Sequence, residues 1–365
     1  MSLADSQGAH DKNFPRDYSL TGPLNRQALD IGLANADWYK TEIPRARMKE
    51  LMQRSDGPAT RDTILWIGFM ILFAGLGASL WPNPWSIPFF LAYGVLYGSG
   101  GDSRWHEFGH GTAFKTQWKN EFFYQIACFV IMRNPVTWRW SHSRHHTDTI
   151  IVGRDPEIAA MRPPDLFKLL INFVGLVDVP TAMMQMLRYT FGKLDEAEKD
   201  YIPASEHEKV FFVARIWFAI YLATAATALA MNSVLPFMII GLPRMYGCWH
   251  GLLCGITQHI GLAEDVLDHR QNCRTVLMNP ISRFIYLNMN YHVEHHMFPM
   301  VPYYRLPELH EEMKNDCPKP YSGFLEAYRE IIPTVIRQLR DPTYFAKRVL
   351  PDTARPYKPA PEPVL

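Results

Sequence analysis

The sequence predicts an all-α integral membrane protein: four transmembrane helices in two hairpins, with a helical cytosolic cap. Three observations predict it. There are four long apolar stretches, they are joined in pairs by very short connections, and the basic residues are confined to one predicted side. A spanning helix needs about 20 predominantly apolar residues. The first stretch, 64–81, reads ILWIGFMILFAGLGASLW, and the second, 85–101, follows after Pro82-Asn83-Pro84. The third, 210–231, reads VFFVARIWFAIYLATAATALAM, and the fourth, 234–256, follows after Asn232-Ser233. Trp66, Trp81, Trp85 and Trp217 accompany these runs as interfacial anchors. Of 37 Lys and Arg, nine precede residue 64, 13 lie in 101–209 and 13 in 257–365. Neither short connection carries one, and only Arg215 and Arg244 fall inside spans. The positive-inside rule then places the N-terminal, central and C-terminal regions on the cytoplasmic side.

The predicted organisation is a cytosolic N-terminal segment (1–63), a membrane domain (64–310), a C-terminal helical cap (311–350) and a disordered tail (351–365) with five prolines. Residues Met1 to Asn13 are polar, without the apolar core of a signal peptide. The segment from Leu166 to Phe191 is apolar in patches but interrupted by Lys168, Asp178, Pro180 and Arg188, and reads as an amphipathic helix on the membrane surface. Arg244, inside the fourth span, either faces a cavity or partner, or reaches water where Pro243 breaks the helix. Charge is balanced, 37 basic residues against 36 acidic, which argues against a nucleic-acid binder. Five scattered cysteines without a C-x-x-C pair argue against a disulfide scaffold, a zinc ribbon or a thiolate iron–sulfur site. Mean hydropathy is only −0.14, because a large polar cap dilutes the four spans.

The informative excess is in histidine, with 14 residues. Eight form three groups: His106 and His110 in HEFGH, His142, His145 and His146 in HSRHH, and His292, His295 and His296 in HVEHH. On a helix, positions i, i+3 and i+4 share a face, so each group projects its imidazoles to one side. Imidazole suits iron, zinc, copper and nickel, and eight ligands exceed what one ion uses, so two metals are expected. All three groups fall on one predicted side of the membrane, near span ends. His259, just past the fourth span in QHIGLAE, is a ninth candidate ligand, whereas His250 is read as structural. His10, His207, His269 and His310 are read as surface residues, His269 being close enough to the groups to leave the question open. A metal-bound imidazole commonly donates its other N–H to a carboxylate. The nearby candidates are Asp102, Glu107, Asp148, Asp155, Glu157, Glu264, Asp265, Asp268 and Glu294.

HEFGH, HSRHH and NYHVEHH together resemble the three histidine boxes of the membrane fatty-acid desaturase and hydroxylase superfamily. HHTDT followed by Asp155-Pro156-Glu157, and QHIGLAE, resemble its bacterial hydroxylase branch, which includes alkane hydroxylases and the oxygenase of rhizopine catabolism. The resemblance covers roughly residues 60–310. It implies two non-haem irons held by His106, His110, His142, His145, His146, His292, His295 and His296, with His259 added, and O2 as cosubstrate. The implied reaction attacks an unactivated C–H bond of a membrane lipid or a small organic molecule, giving desaturation or hydroxylation. If the substrate is a methyl ether, such as a methylated inositol amine, hydroxylation leads to demethylation. The chain has neither the His-Pro-Gly-Gly of a fused cytochrome nor a four-cysteine set, so the expected electron donor is a separate ferredoxin or Rieske-type ferredoxin with its reductase. Arg139, Arg144 and Arg270 are candidate docking residues for it. A rival reading takes HEFGH as a zinc protease motif with Glu107 as general base, and leaves two histidine groups unexplained. A di-iron carboxylate site would need a second Glu-x-x-His, which the chain lacks. A metal transporter would not need so many ligands at one face.

Overall fold

The computed structural model describes residues 16–35 and 37–359, and nearly all its regular structure is helical. Among the described residues the only β pairings are two isolated bridges, Thr275 with Tyr291 and Val276 with Tyr321.

The first long helix, α1 (Asp56–Leu80), is capped by Ser55, whose side chain accepts from the Gly57 N–H. Asp56 in its first turn accepts from Thr116 and from the Lys119 ammonium at 2.8 Å, tying the helix to the cap. Ile64, Phe69, Ile71 and Leu72 are exposed along it. In water such a stripe would be costly, and this helix is long and apolar enough to cross a membrane. The return arm runs from α2 (Ile87–Gly94) through a π-helical segment, Val95–Ser99, into α3 (Gly100–Gly109). Wider turns release backbone groups that hydrocarbon cannot satisfy. Here Trp66 Nε1 donates to the Leu96 carbonyl at 2.8 Å, and Arg244 donates to the Gly98 carbonyl at 2.5 Å.

Two further helices follow, α4 (Gln117–Val130) and α5 (Pro135–Thr147). The segment read as one surface helix forms two, α6 (Leu166–Ile171) and α7 (Asp178–Thr190), bent by 81° across a break containing left-handed Gly175. Phe167, Leu170, Met183, Met184 and Phe191 remain exposed on this pair. The second long helix, α8 (His207–Ala230), packs against α7, and its Arg215 donates to the Thr190 carbonyl at 3.2 Å.

The fourth apolar stretch is not one helix. It is divided into α9 (Leu235–Ile239), α10 (Leu242–Gly247) and α11 (Trp249–His259). Gly241 takes φ 94°, where side chains clash, and Pro236 and Pro243 start the pieces on either side. The hydroxyls of Tyr93 and Tyr246 cover the freed carbonyls of Ile239 and Met238, each at 2.8 Å. The pieces press closely on the first hairpin: a Cβ on Gly247 would stand 1.7 Å from the Gly94 carbonyl oxygen. Such close approach through small residues is how helices pack in lipid. Among the described residues two helices, 45–80 and 204–230, are long and apolar enough to cross a membrane alone. Two of the four predicted stretches thus lie on single long helices, and the other two are interrupted in their helical course.

Two further expectations are corrected. The region 311–350 is helical only to Gln338, at the end of the helix Phe324–Gln338. The proline-rich tail is extended as far as it is described, but anchored rather than loose. Arg270 donates to the carbonyls of Arg355 and Pro356, and the Lys358 N–H to Asp268 at 3.0 Å. Proline forbids helix here, yet its carbonyls remain good acceptors for a buried guanidinium. Residues 360–365 and His10 lie outside the described residues.

Candidate metal centre

Four helices carry nine histidines to one place. His106 is near the end of α3 and His110 caps it. His142, His145 and His146 lie on α5, which starts at Pro135 under an Asn134 cap. His259 ends α11, and His292, His295 and His296 lie on α12 (His292–Met297). The i, i+3, i+4 spacing does its work within the triplets, and the ends of the return arms supply the rest.

The nine sort into two groups whose nitrogens lie within 4.8 Å of one another: His106, His110, His142, His146 and His295, and His145, His259, His292 and His296. In the first, Nε2 of His142 is 3.1 Å from that of His110 and 3.1 Å from that of His146, and His146 to His295 is also 3.1 Å. In the second, His292 is 2.9 Å from His259 and 3.0 Å from His296, and His145 to His296 is 3.3 Å. Nitrogens about 2.1 Å from one ion stand about 3.0 Å apart at right angles and about 3.4 Å apart tetrahedrally. The spacings therefore suit two ions. Both ring nitrogens of His106, and Nδ1 of His146, His292 and His295, are buried without a hydrogen-bond partner. Nine imidazoles would not be packed this way to hold each other, and the donor set fits metal.

Their protonation fits as well. Burial pushes His110 down to about 4, and burial with the neighbouring His145 pushes His259 down to about 3. Burial first, then mutual repulsion, holds His106, His142, His146, His292, His295 and His296 well below the usual imidazole value. All of these rings are neutral near pH 7, the form that binds metal.

A model of the fatty acid desaturase family matches residues 79–328, well over half of the chain and all nine histidines. The chain belongs to the fatty acid desaturase family. No curated protein matches it.

Around this desaturase-family centre, two predicted carboxylates touch ligand rings. Asp155 accepts from His145 Nδ1 at 2.8 Å and Glu157 from His142 Nδ1 at 2.9 Å. Asp155 outweighs burial and raises His145 above its ordinary value, whereas burial pushes Glu157 itself up to about 7. Glu107 stands 3.9 Å from Nδ1 of both His106 and His295. It is almost fully buried, accepts from the Tyr303 N–H, and burial lifts it to about 8. A zinc-protease base would instead face an open site.

The other predicted carboxylates serve the scaffold. Asp148 pairs with Arg144 at 2.5 Å, Glu264 with Arg16 and Arg162, Asp265 with Arg16, and Asp268 with Arg270. Glu294 accepts from Thr275 at 2.6 Å and pairs with His310 at 2.5 Å, and Asp102 pairs with Arg133 at 3.2 Å. These residues are near the boxes in sequence, but their side chains are committed to cationic or hydroxyl partners. Sequence reasoning missed two supports: Thr149 Oγ1 at 3.2 Å from His296 Nδ1, and the Asn272 carbonyl accepting from His259 Nδ1 at 2.8 Å. Thr149 lies in the turn just past the end of α5, where its hydroxyl also donates to the His145 carbonyl at 2.7 Å.

Two surface expectations fail, at His269 and His310, and a third holds in part. His269 is buried and stacked on Trp38 at 4.1 Å, its ring 5.2 Å from that of His296. His310 is buried against Glu294, and His207 is half-buried with its ring on the Ile202 carbonyl. His250 does have a structural partner, Ser282, at 3.1 Å. Arg270 is fully buried between Asp268, Asp316 and the tail, so it offers no docking charge. Arg139 is exposed and pairs with Glu121 at 2.7 Å.

Two cavities adjoin the histidines. One, of about 370 Å³, is lined by His106, His142, His145, His259 and His292. Another, of about 350 Å³, is lined by His110, His142 and His146 with Trp105, Tyr124 and Arg139.

Proposed function

We propose that this protein is an O2-dependent, non-haem di-iron oxidoreductase that oxidises an unactivated C–H bond, of the desaturase or hydroxylase (monooxygenase) type. The observation that carries the reading is the convergence of nine imidazoles in groups of five and four. Iron bound there would supply the power to activate O2 and take hydrogen from carbon. The chain's own residues do the rest. Asp155 and Glu157 fix the rings of His145 and His142, so the donors are set before a metal arrives. Trp105 packs edge-on against His106 and His142, and its indole closes one wall against water. The larger cavity meets histidines of both groups and holds the reacting bond beside them.

Electrons come, in this reading, from a separate ferredoxin or Rieske-type ferredoxin with its reductase. The five cysteines support it, since they are free and form no four-cysteine cluster among the described residues. The distribution of basic residues supports an active site at the cytoplasmic face, and the membrane in this reading is a bacterial inner membrane. The test is metal analysis of protein purified without added chelator, followed by O2 uptake with reductant and candidate substrates. Two irons per chain and substrate-dependent O2 consumption are expected. One zinc per chain, or iron with no O2 consumption under any reductant, overturns the reading.

A further inference from the structure

The cavity beside the two histidine groups is lined by charged as well as apolar side chains. Its lining includes three arginines (Arg133, Arg162, Arg244) and four carboxylates (Asp102, Glu157, Asp178, Glu264), besides Asn172 and Gln258. Most of these charges are already matched. Arg162 pairs with Glu264 at 2.9 Å, Arg133 with Asp102 at 3.2 Å, and Glu157 holds His142 and Ser141. One pair is not fully used. Arg244 is buried and spends one N–H on the Gly98 carbonyl, while its other terminal nitrogen is 3.8 Å from Asp178, too far for a hydrogen bond. The Asp178 side chain is 46% exposed and makes no hydrogen bond. A guanidinium and a carboxylate thus stand side by side in the wall with donors and acceptors to spare.

A methylene chain laid against them would desolvate both without replacing a hydrogen bond, which is unfavourable for charged groups. A molecule that presents an anionic and a cationic group close together would satisfy both. The remaining lining supplies the other requirement, since Trp105, Trp138, Leu252, Ile256 and Met289 give an apolar flank for a short carbon skeleton near the histidines. A volume of about 370 Å³ is in the range of small-molecule sites.

We infer that the substrate is a small, water-soluble zwitterion. Its anionic group binds Arg244, its cationic group binds Asp178, and its carbon skeleton is turned toward the two histidine groups. The inference rests on the reading of this cavity as the substrate site of a C–H oxidase, and assigns Arg244 and Asp178 as specificity-determining residues.

The test uses full-length, iron-loaded protein in phosphatidylcholine nanodiscs and reads binding by saturation-transfer NMR. The probe is L-norleucine, and hexanoate and hexylamine keep its chain length with one charge each. Norleucine is expected to bind saturably and at least tenfold more tightly than either single-charge analogue. Asp178→Asn is expected to abolish the advantage over hexanoate, and Arg244→Gln the advantage over hexylamine. Asp178 is partly exposed and holds no structural hydrogen bond through its carboxylate, so its variant remains informative if Arg244→Gln misfolds. Iron stoichiometry is measured on every sample. Two irons with no norleucine preference, with hexanoate equal to norleucine, or with saturable binding of spin-labelled stearate at the site, each overturn the zwitterion inference and leave the oxidase reading standing. Norleucine preference in protein that holds two irons but consumes no O2 with any reductant instead overturns the oxidase reading alone.

Discussion

Replacing Asp155 with asparagine should loosen one metal site and spare the other. The Asp155 carboxylate accepts three hydrogen bonds: from His145 Nδ1 at 2.8 Å, from the Ile150 N–H at 2.7 Å and from the Glu157 N–H at 2.8 Å. Asparagine keeps the shape and one oxygen acceptor but removes the charge and the second oxygen. Hydrogen bonds to a charged group are worth about 1.5–3 kcal/mol. Loss of a group that supports a metal ligand typically costs about 10–100-fold in affinity, or about 1.4–2.7 kcal/mol, and the two ranges agree. His145 belongs to the group of four, so the loss falls there. Anaerobic chelator titration of the iron-loaded protein reads the two sites as successive releases. The variant should give up the iron of the group of four at about 10–100-fold lower chelator concentration, with release of the other iron unchanged. Asp148→Asn is the control, because Asp148 pairs with Arg144 and not with a ligand ring. Wild-type release of both irons from Asp155→Asn would refute the reasoning, and so would equal weakening by Asp148→Asn.

Three other outcomes follow from the same geometry. His259→Ala should lower iron content from two toward one per chain by metal analysis, while His250→Ala, whose ring meets Ser282 and Cys254 and belongs to neither histidine group, should leave it unchanged. Gly247→Ala places a methyl 1.7 Å from the Gly94 carbonyl oxygen and should destabilise the protein in detergent by about 3 kcal/mol or more, read as a lower midpoint of thermal unfolding. Deleting 351–365 strips two carbonyl acceptors from the buried Arg270 guanidinium and should cost about 1–3 kcal/mol by the same measurement, with iron content intact.

The site was more legible in the sequence than the fold around it. Box spacing alone puts His142, His145 and His146 on one helical face, and the one-sided placement of the three boxes predicts their convergence. The sorting into five and four was not legible, because it depends on how α3, α5, α11 and α12 meet. Apolar runs located the membrane segments but not their breaks. A window average over 234–256 cannot register that Gly241 takes a left-handed conformation, or that a buried arginine serves a carbonyl one segment away. Burial was the weakest inference. His269, His310 and Arg270 look like surface residues in one dimension, and each is covered by a part of the chain more than 15 residues distant: Trp38, Glu294 and the tail.

The unequal division of nine imidazoles has a consequence for spectroscopy and for handling. One position has five nitrogen donors, two of them (His110 and His146) only half-buried and facing the second cavity. The other has four donors, of which only His259 is less than fully buried. Two irons in these positions feel different ligand fields and different access to solvent. Mössbauer spectra of the loaded protein should therefore resolve two quadrupole doublets of equal area. A small hydrophilic chelator should remove the five-nitrogen iron first, so a preparation with one iron per chain is a half-empty centre rather than a mononuclear protein.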